Sequence, residues 1–170
     1  MDLKSVQRPF KERYRSDPSS SRITLRAWGG ETGTPMTCSV DLGRAVYAAE
    51  AHAGTGGPGT GACSGDLLLG ALAACAQITC QLVATAMGIP FDRIAVTVEG
   101  DLDLRGTLGV SKDVPVGFED IRVRFDVAAP GATPAQLAAL REKTEQYCVV
   151  FQTLRQPARI ETTWESPRSA

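Results

Sequence analysis

Residues 64–90 read SGDLLLGALAACAQITCQLVATAMGIP, and this stretch decides the fold. Ser64 can N-cap a helix, and Asp66 suits the first turn, near the positive end of the helix dipole. Gly88 can take the left-handed C′ position, and Pro90 forbids continuation. The signals predict a helix of roughly 22 residues over 65–87. Leu68, Leu72, Cys75, Thr79, Leu82 and Ala86 recur at three- and four-residue steps. Leu69, Ala73, Ala76 and Val83 cover much of the remaining surface. A helix apolar nearly all round belongs at the centre of a fold. Gly70, Ala71, Ala73, Ala74 and Ala76 are small enough to let another backbone approach closely.

Outward from this helix the chain reads mostly as strands. Downstream, RIAVTVEGDLDL alternates Ile94, Val96 and Val98 against Ala95, Thr97 and Glu99. EDIRVRFDV turns Ile121, Val123, Phe125 and Val127 one way and Arg122, Arg124 and Asp126 the other. Alternation of this kind is the mark of a half-buried strand. GTLGVSKDVPVG, between them, reads as an irregular connection. Thr133-Pro134-Ala135-Gln136 is a capping box with proline at N1 and opens a helix through LAALREKTEQY. Cys148 falls at its end, or at the break before VVFQTLRQP, and ARIETTW predicts a last strand. Upstream, ITLRAW and MTCSVDL read as strands separated by a GGETGTP turn. RAVYAAEA is a third candidate whose alanines leave helix open. GTGGPGTG (54–61) lacks the G-K-[ST] of a phosphate-binding loop and reads as a mobile surface loop, with a flap beside a site as the sharper alternative. Strands interrupted by a few helices indicate an α+β fold with a mainly antiparallel sheet.

The 170 residues suit one domain with a real core. Residues 1–20 read as a flexible charged arm, 21–165 as the domain and 166–170 as a tail. The formal net charge of −1 leaves no field to attract nucleic acid or anionic lipid. No run of about 18 unbroken apolar residues suggests a membrane span, and the polar N-terminus has no signal-peptide core. The expectation is a soluble, cytoplasmic protein with no nucleic-acid or membrane partner. Five cysteines in such a chain are read as reduced thiols, and their odd number forbids complete internal pairing. No C-x-x-C occurs, which weakens a general disulfide-exchange reading, and His52 is the only histidine. No pair of these residues has zinc-ligand spacing, so no metal is expected.

A cysteine on an apolar helix is most often a small hydrophobe, and Cys38, Cys63 and Cys80 are read that way. Cys80 lies five residues, or about 140° around the helix, from Cys75. Cys75 and Cys148 differ because of what surrounds them. DLLLGALAAC on a central helix, then G-I-P and a strand, with EQYCVVFQTL 73 residues further on, resembles the osmotically inducible protein C and organic hydroperoxide resistance (OsmC/Ohr) family. The resemblance runs over about Ile23 to Trp164.

Such a resemblance implies an intertwined homodimer with long central helices buried between two sheets. It implies reduction of organic hydroperoxides or hydrogen peroxide, in oxidative-stress defence. Cys75 would be the attacking thiolate and Cys148 the resolving thiol, with a small dithiol or lipoyl-type reductant reopening the disulfide. Thiolate nucleophile, sulfenic acid and resolving thiol are consistent chemistry. It also implies an acid and an arginine that orient and activate the first thiolate. Asp66 and Arg44 are the candidates here, with Arg26 and Arg155 as alternatives for the cation. No metal, haem, flavin or nucleotide cofactor follows. Where the peroxidase branches carry glutamate after proline this chain has Gly65, and Val149 stands where proline often follows the second cysteine. The rival reading is a non-catalytic dimer that binds a small apolar ligand, with structural or redox-sensing cysteines. Mid-helix placement leaves Cys75 outside the reach of its own helix dipole, so an activating charge must come from elsewhere.

Overall fold

The computed structural model describes residues 45–165 without a break, the backbone of 28–31 and 37–41, and residues 7, 8, 11, 12, 16, 17 and 24. Much of the proposed arm, the whole of the 166–170 tail and Arg44 lie outside the described residues. So do Ile23 and residues 25–27 of ITLRAW.

Two antiparallel sheets form. The first runs β1 (Trp28–Glu31), β2 (Thr37–Asp41), β3 (Val46–Glu50) in that order. Residues 29–31, expected in a turn, are therefore strand. The alanine-rich third segment is strand rather than helix. The second sheet pairs β4 (Arg93–Asp101) with β5 (Asp120–Ala128) over their full length, with Val96 opposite Phe125 and Val98 opposite Val123. This register puts the apolar residues of both strands on one face. On the other, Arg93 meets Asp126 at 2.7 Å, and Arg122 bonds Asp101 across the ladder.

Helix α1 (Ser64–Ala86) packs its apolar stripe on β4. A single turn, α2 (Leu104–Thr107), interrupts the connection to β5. Thr133 opens α3 (Pro134–Tyr147): its hydroxyl accepts from Gln136 N–H at 3.2 Å, and the Gln136 side chain accepts from Thr133 N–H at 2.9 Å. Cys148, in an extended conformation, ends α3 and begins α4 (Val149–Arg155). Both α3 and α4 lie against α1.

Two findings correct the reading of α1. Its N-cap is Cys63, one residue earlier than Ser64, because Asp66 then stands at N3 and reaches back to the Cys63 N–H at 2.9 Å. Its buried line is Leu72, Ala76, Cys80 and Ala84. The opposite face, with Ile78 and Leu82, is exposed in the single chain, because a two-stranded sheet covers only one side of a helix. By length and composition α1 could cross a membrane. Its packing on β4, α3 and α4 makes it the core helix of this fold. Cys80, 2% exposed, joins Ala84, Ile89, Ile94 and Leu140 in one core cluster. Cys80→Ala is expected to cost roughly 1 kcal/mol in denaturant unfolding, the scale of a small core truncation. A loss above about 3 kcal/mol would assign Cys80 more than packing.

The predicted last strand does not form. Residues 158–164 have no regular structure, and Ile160 and Trp164 are 86% and 94% exposed. Among the described residues no strand pairs with this segment, and alternation alone makes no strand without a partner.

Candidate functional site

The Gly-rich segment before α1 is tied down rather than loose. The Glu50 carboxylate accepts from the N–H groups of Thr60 and Gly61 at 2.6 and 2.8 Å, and from the Thr60 hydroxyl at 3.0 Å. Gly57 presses on the Ala51 carbonyl so closely that a Cβ there would lie 1.6 Å from the oxygen. Four N–H and O–H donors hold the Glu50 carboxyl below the usual range, with the Gly61 N–H the strongest and burial opposing them. The loop is thus a strap across the end of β3, and its contacts do not include the thiols.

Cys75 and Cys148 come together where α1 meets the α3–α4 junction. Both sulfurs belong to the cluster of Leu72, Ala76, Val96, Val123 and Phe151, and both are free thiols. Cys148 is 1% exposed, whereas Cys75 is half-buried. Burial pushes the Cys75 thiol up, but the Val150 N–H, the Cys148 thiol, the Thr79 hydroxyl and the Val149 N–H outweigh it, and its pKa is lowered. Burial pushes Cys148 up. The Phe151 N–H opposes this, but its hydrogen bond to Cys75 and the charge there add to the rise. The pair therefore divides into one thiolate-prone sulfur and one that holds its proton.

The physical reason is local to α4. Its first N–H groups have no carbonyl partner within the helix and point outward. Cys75, mid-way along α1, sits where Val149 and Val150 can donate to it. Thr79, one turn beyond Cys75 on α1, adds a hydroxyl to both sulfurs. These donors are backbone and hydroxyl groups rather than the cation expected from the sequence. The signal was Val149 itself: a proline there would have no N–H to give.

Asp66 caps α1, with its carboxyl lowered by the Cys63 N–H and then the Cys63 thiol. It lies nine residues before Cys75, about 13 Å along the helix axis, and the structure does not bring the two together. Arg44 and Arg26 lie outside the described residues. Arg155 stacks over the Phe151 ring at 5.7 Å from its centroid. Gly65, at the position of the glutamate that the family resemblance implies, faces Phe118, whose ring would meet an added Cβ at 3.3 Å. Among the described residues, no three His, Cys, Asp or Glu side chains gather to hold a metal ion.

The donors make a pH prediction. A lowered thiol pKa means that the thiolate fraction, and with it the rate of alkylation by iodoacetamide, rises with pH through a midpoint below that of a free thiol. Val149→Pro preserves the α4 start, because Cys148 is already extended and proline suits N1. It removes one donor, so the midpoint for Cys75 should move up and the neutral-pH rate should fall several-fold. An unchanged pH profile would take the N–H of Val149 out of the account.

Comparison with known proteins agrees with this architecture. A family model described as OsmC-like protein matches residues 57–163. An OsmC-like protein from Mycoplasma pneumoniae has a TM-score of 0.67 at 16% identity, covering 79% of this chain and 89% of its own. An organic hydroperoxide resistance protein OsmC from Legionella pneumophila has a TM-score of 0.60 at 19% identity, covering 80% and 92%. An organic hydroperoxide resistance protein from Elizabethkingia anophelis has a TM-score of 0.60 at 21% identity, covering 81% and 91%. The search of curated proteins returned no match. The α+β fold is shared with all three structures, and with the family model spanning both thiols and the helices that carry them, this chain belongs to the OsmC-like protein family.

Proposed function

We propose that the protein is a thiol-dependent hydroperoxide reductase that uses Cys75 as nucleophile and Cys148 as resolving thiol. The observation that supports it is the asymmetric pair: two free thiols packed in one cluster, one lowered and one raised in pKa. The hydroperoxide resistance proteins among the structural neighbours point the same way.

The chemistry follows from that asymmetry. The Cys75 thiolate attacks the terminal oxygen of a hydroperoxide, an S–O bond forms and the O–O bond breaks. The leaving alkoxide takes the proton that Cys148 has kept and departs as the alcohol. Cys148, now a thiolate, attacks the Cys75 sulfenic acid; the S–S bond forms and hydroxide leaves. A small dithiol, of lipoyl type by family analogy, then exchanges with the disulfide, restoring both thiols and becoming a disulfide itself. No metal or organic cofactor enters these steps. We assign the active form to a homodimer, because the exposed face of α1 needs a cover.

The test is stopped-flow oxidation of the reduced protein by cumene hydroperoxide, with free thiols counted before and after. Rapid loss of two thiols per chain is expected. Slow, non-saturating loss spread over all the cysteines would instead favour a ligand-binding dimer with ordinary thiols.

A further inference from the structure

A cavity of about 540 Å³ lies between β5, α1, α3 and α4, and shares Val123, Phe125 and Phe151 with the cluster around the thiol pair. Its size falls within the roughly 300–1,000 Å³ of small-molecule sites. Phe125, Val127, Leu140 and Phe151 form its apolar wall, Cys80 and Thr144 are its buried polar groups, and Arg124, Arg141 and Glu145 line it as well. Thr144 is 2% exposed, and its Oγ1 is the one buried side-chain oxygen or nitrogen without a hydrogen-bond partner among the described residues. A threonine inside a helix ordinarily returns its hydroxyl to the carbonyl four residues back. Thr144 does not, and its polar neighbour is the Cys80 sulfur, in contact but outside good hydrogen-bond geometry. Burial raises the Cys80 thiol pKa, with Thr144 opposing, so Cys80 stays neutral.

We propose that this cavity binds an apolar small molecule carrying one neutral hydrogen-bonding head, an alcohol or a carbonyl, which the unpartnered Thr144 hydroxyl receives. Of the two arginines that line the cavity, Arg141 is engaged by Glu145 at 3.0 Å, and Arg124, in the exposed set of β5, has no ion pair among the described residues. A charged head drawn in to the buried Thr144 would lose its water without gaining a counter-charge from that hydroxyl. An alcohol can donate to or accept from the Thr144 hydroxyl, and a carbonyl accepts from it, while the chain lies along Phe125, Val127 and Leu140. The inference does not rest on peroxide chemistry, since neither Cys75 nor Cys148 lines this cavity.

The experiment is methyl NMR and calorimetric titration of the full reduced chain with n-octanol, n-octane and octanoate. Saturable binding of n-octanol is expected at one site per chain, shifting the methyls of Val127, Leu137 and Leu140. Octanoate should bind more weakly; tighter binding than n-octanol, through Arg124, would overturn the neutral head. Thr144→Val keeps the shape and removes the hydroxyl; it should weaken n-octanol about ten-fold, the worth of one hydrogen bond, and leave n-octane unchanged. Leu137→Trp, at the rim, should block both, and serves if Thr144→Val folds poorly. Cys75→Ser should bind n-octanol as the parent does, which separates this site from the thiol pair. The proposal is overturned by non-saturable binding, or by equal n-octanol affinity in the parent and Thr144→Val, the sign of a cavity that holds water only. Shifts confined to Leu72 and Leu154 would also overturn it, by placing the probe against the thiol cluster instead.

Discussion

Cys75→Ser is expected to lose rapid consumption of organic hydroperoxide by about 10³-fold or more, the scale on which removal of a nucleophile acts. Serine keeps the size and loses the anion: a hydroxyl beside the Val149 and Val150 N–H groups stays protonated at neutral pH. Cys148→Ser should behave differently. It leaves the N–H donors in place, so Cys75 should still attack once. The sulfenic acid then has no thiol to meet, and further peroxide should drive it to the sulfinic acid. Single-turnover stopped flow with intact-mass spectrometry reads both outcomes: no oxygen adduct for the first variant, and one then two oxygens on the second. Parent-like rates in Cys75→Ser would remove the catalytic assignment, while a parent-like disulfide yield in Cys148→Ser would name another resolving cysteine. Cys80 is a poor substitute in geometric terms, since it lies on the buried α1 line and packs with Leu140 rather than with the Cys75 cluster.

Ile78→Asp is expected to break the proposed homodimer. Ile78 is 56% exposed on the face of α1 away from β4, beside the small residues Gly70, Ala71 and Ala74, which are exposed too. A face of this composition is suited to close helix contact and costly to leave in water. A carboxylate placed between two such helices would be desolvated without a partner, weakening association by roughly 10³-fold or more. Sedimentation equilibrium at micromolar concentration checks it, with the parent at twice 18.0 kDa and the variant near 18.0 kDa. A parent that sediments as a monomer would sink the dimer proposal.

Much of the secondary structure was legible because its causes are local. The Thr133-Pro134-Ala135-Gln136 box, the Gly88 stop and the alternation of β4 and β5 each act through neighbours a few residues away. The turn chemistry around Trp28–Glu31 was misread, because Gly29 and Gly30 punctuate most chains and here stand in β1, opposite Val40 and Ser39 of β2. The ARIETTW pattern was read as a strand, but a strand is a relation between two segments, and no segment of the described chain pairs with it.

The candidate site divides the same way. From residue types alone, two cysteines 73 positions apart could be singled out only through family resemblance, since spacing says nothing about distance in space. By itself the sequence determined a long, capped, small-residue helix with a thiol mid-way along it, because helical periodicity and end signals are properties of a short window. Tertiary structure alone decided which stripe of that helix is buried, because burial depends on what packs against it. It also brought the first turn of α4 up to Cys75, so that backbone N–H groups, present in every residue and therefore silent in any sequence, lower one thiol's pKa, while near-complete burial and the neighbouring sulfur raise the other's.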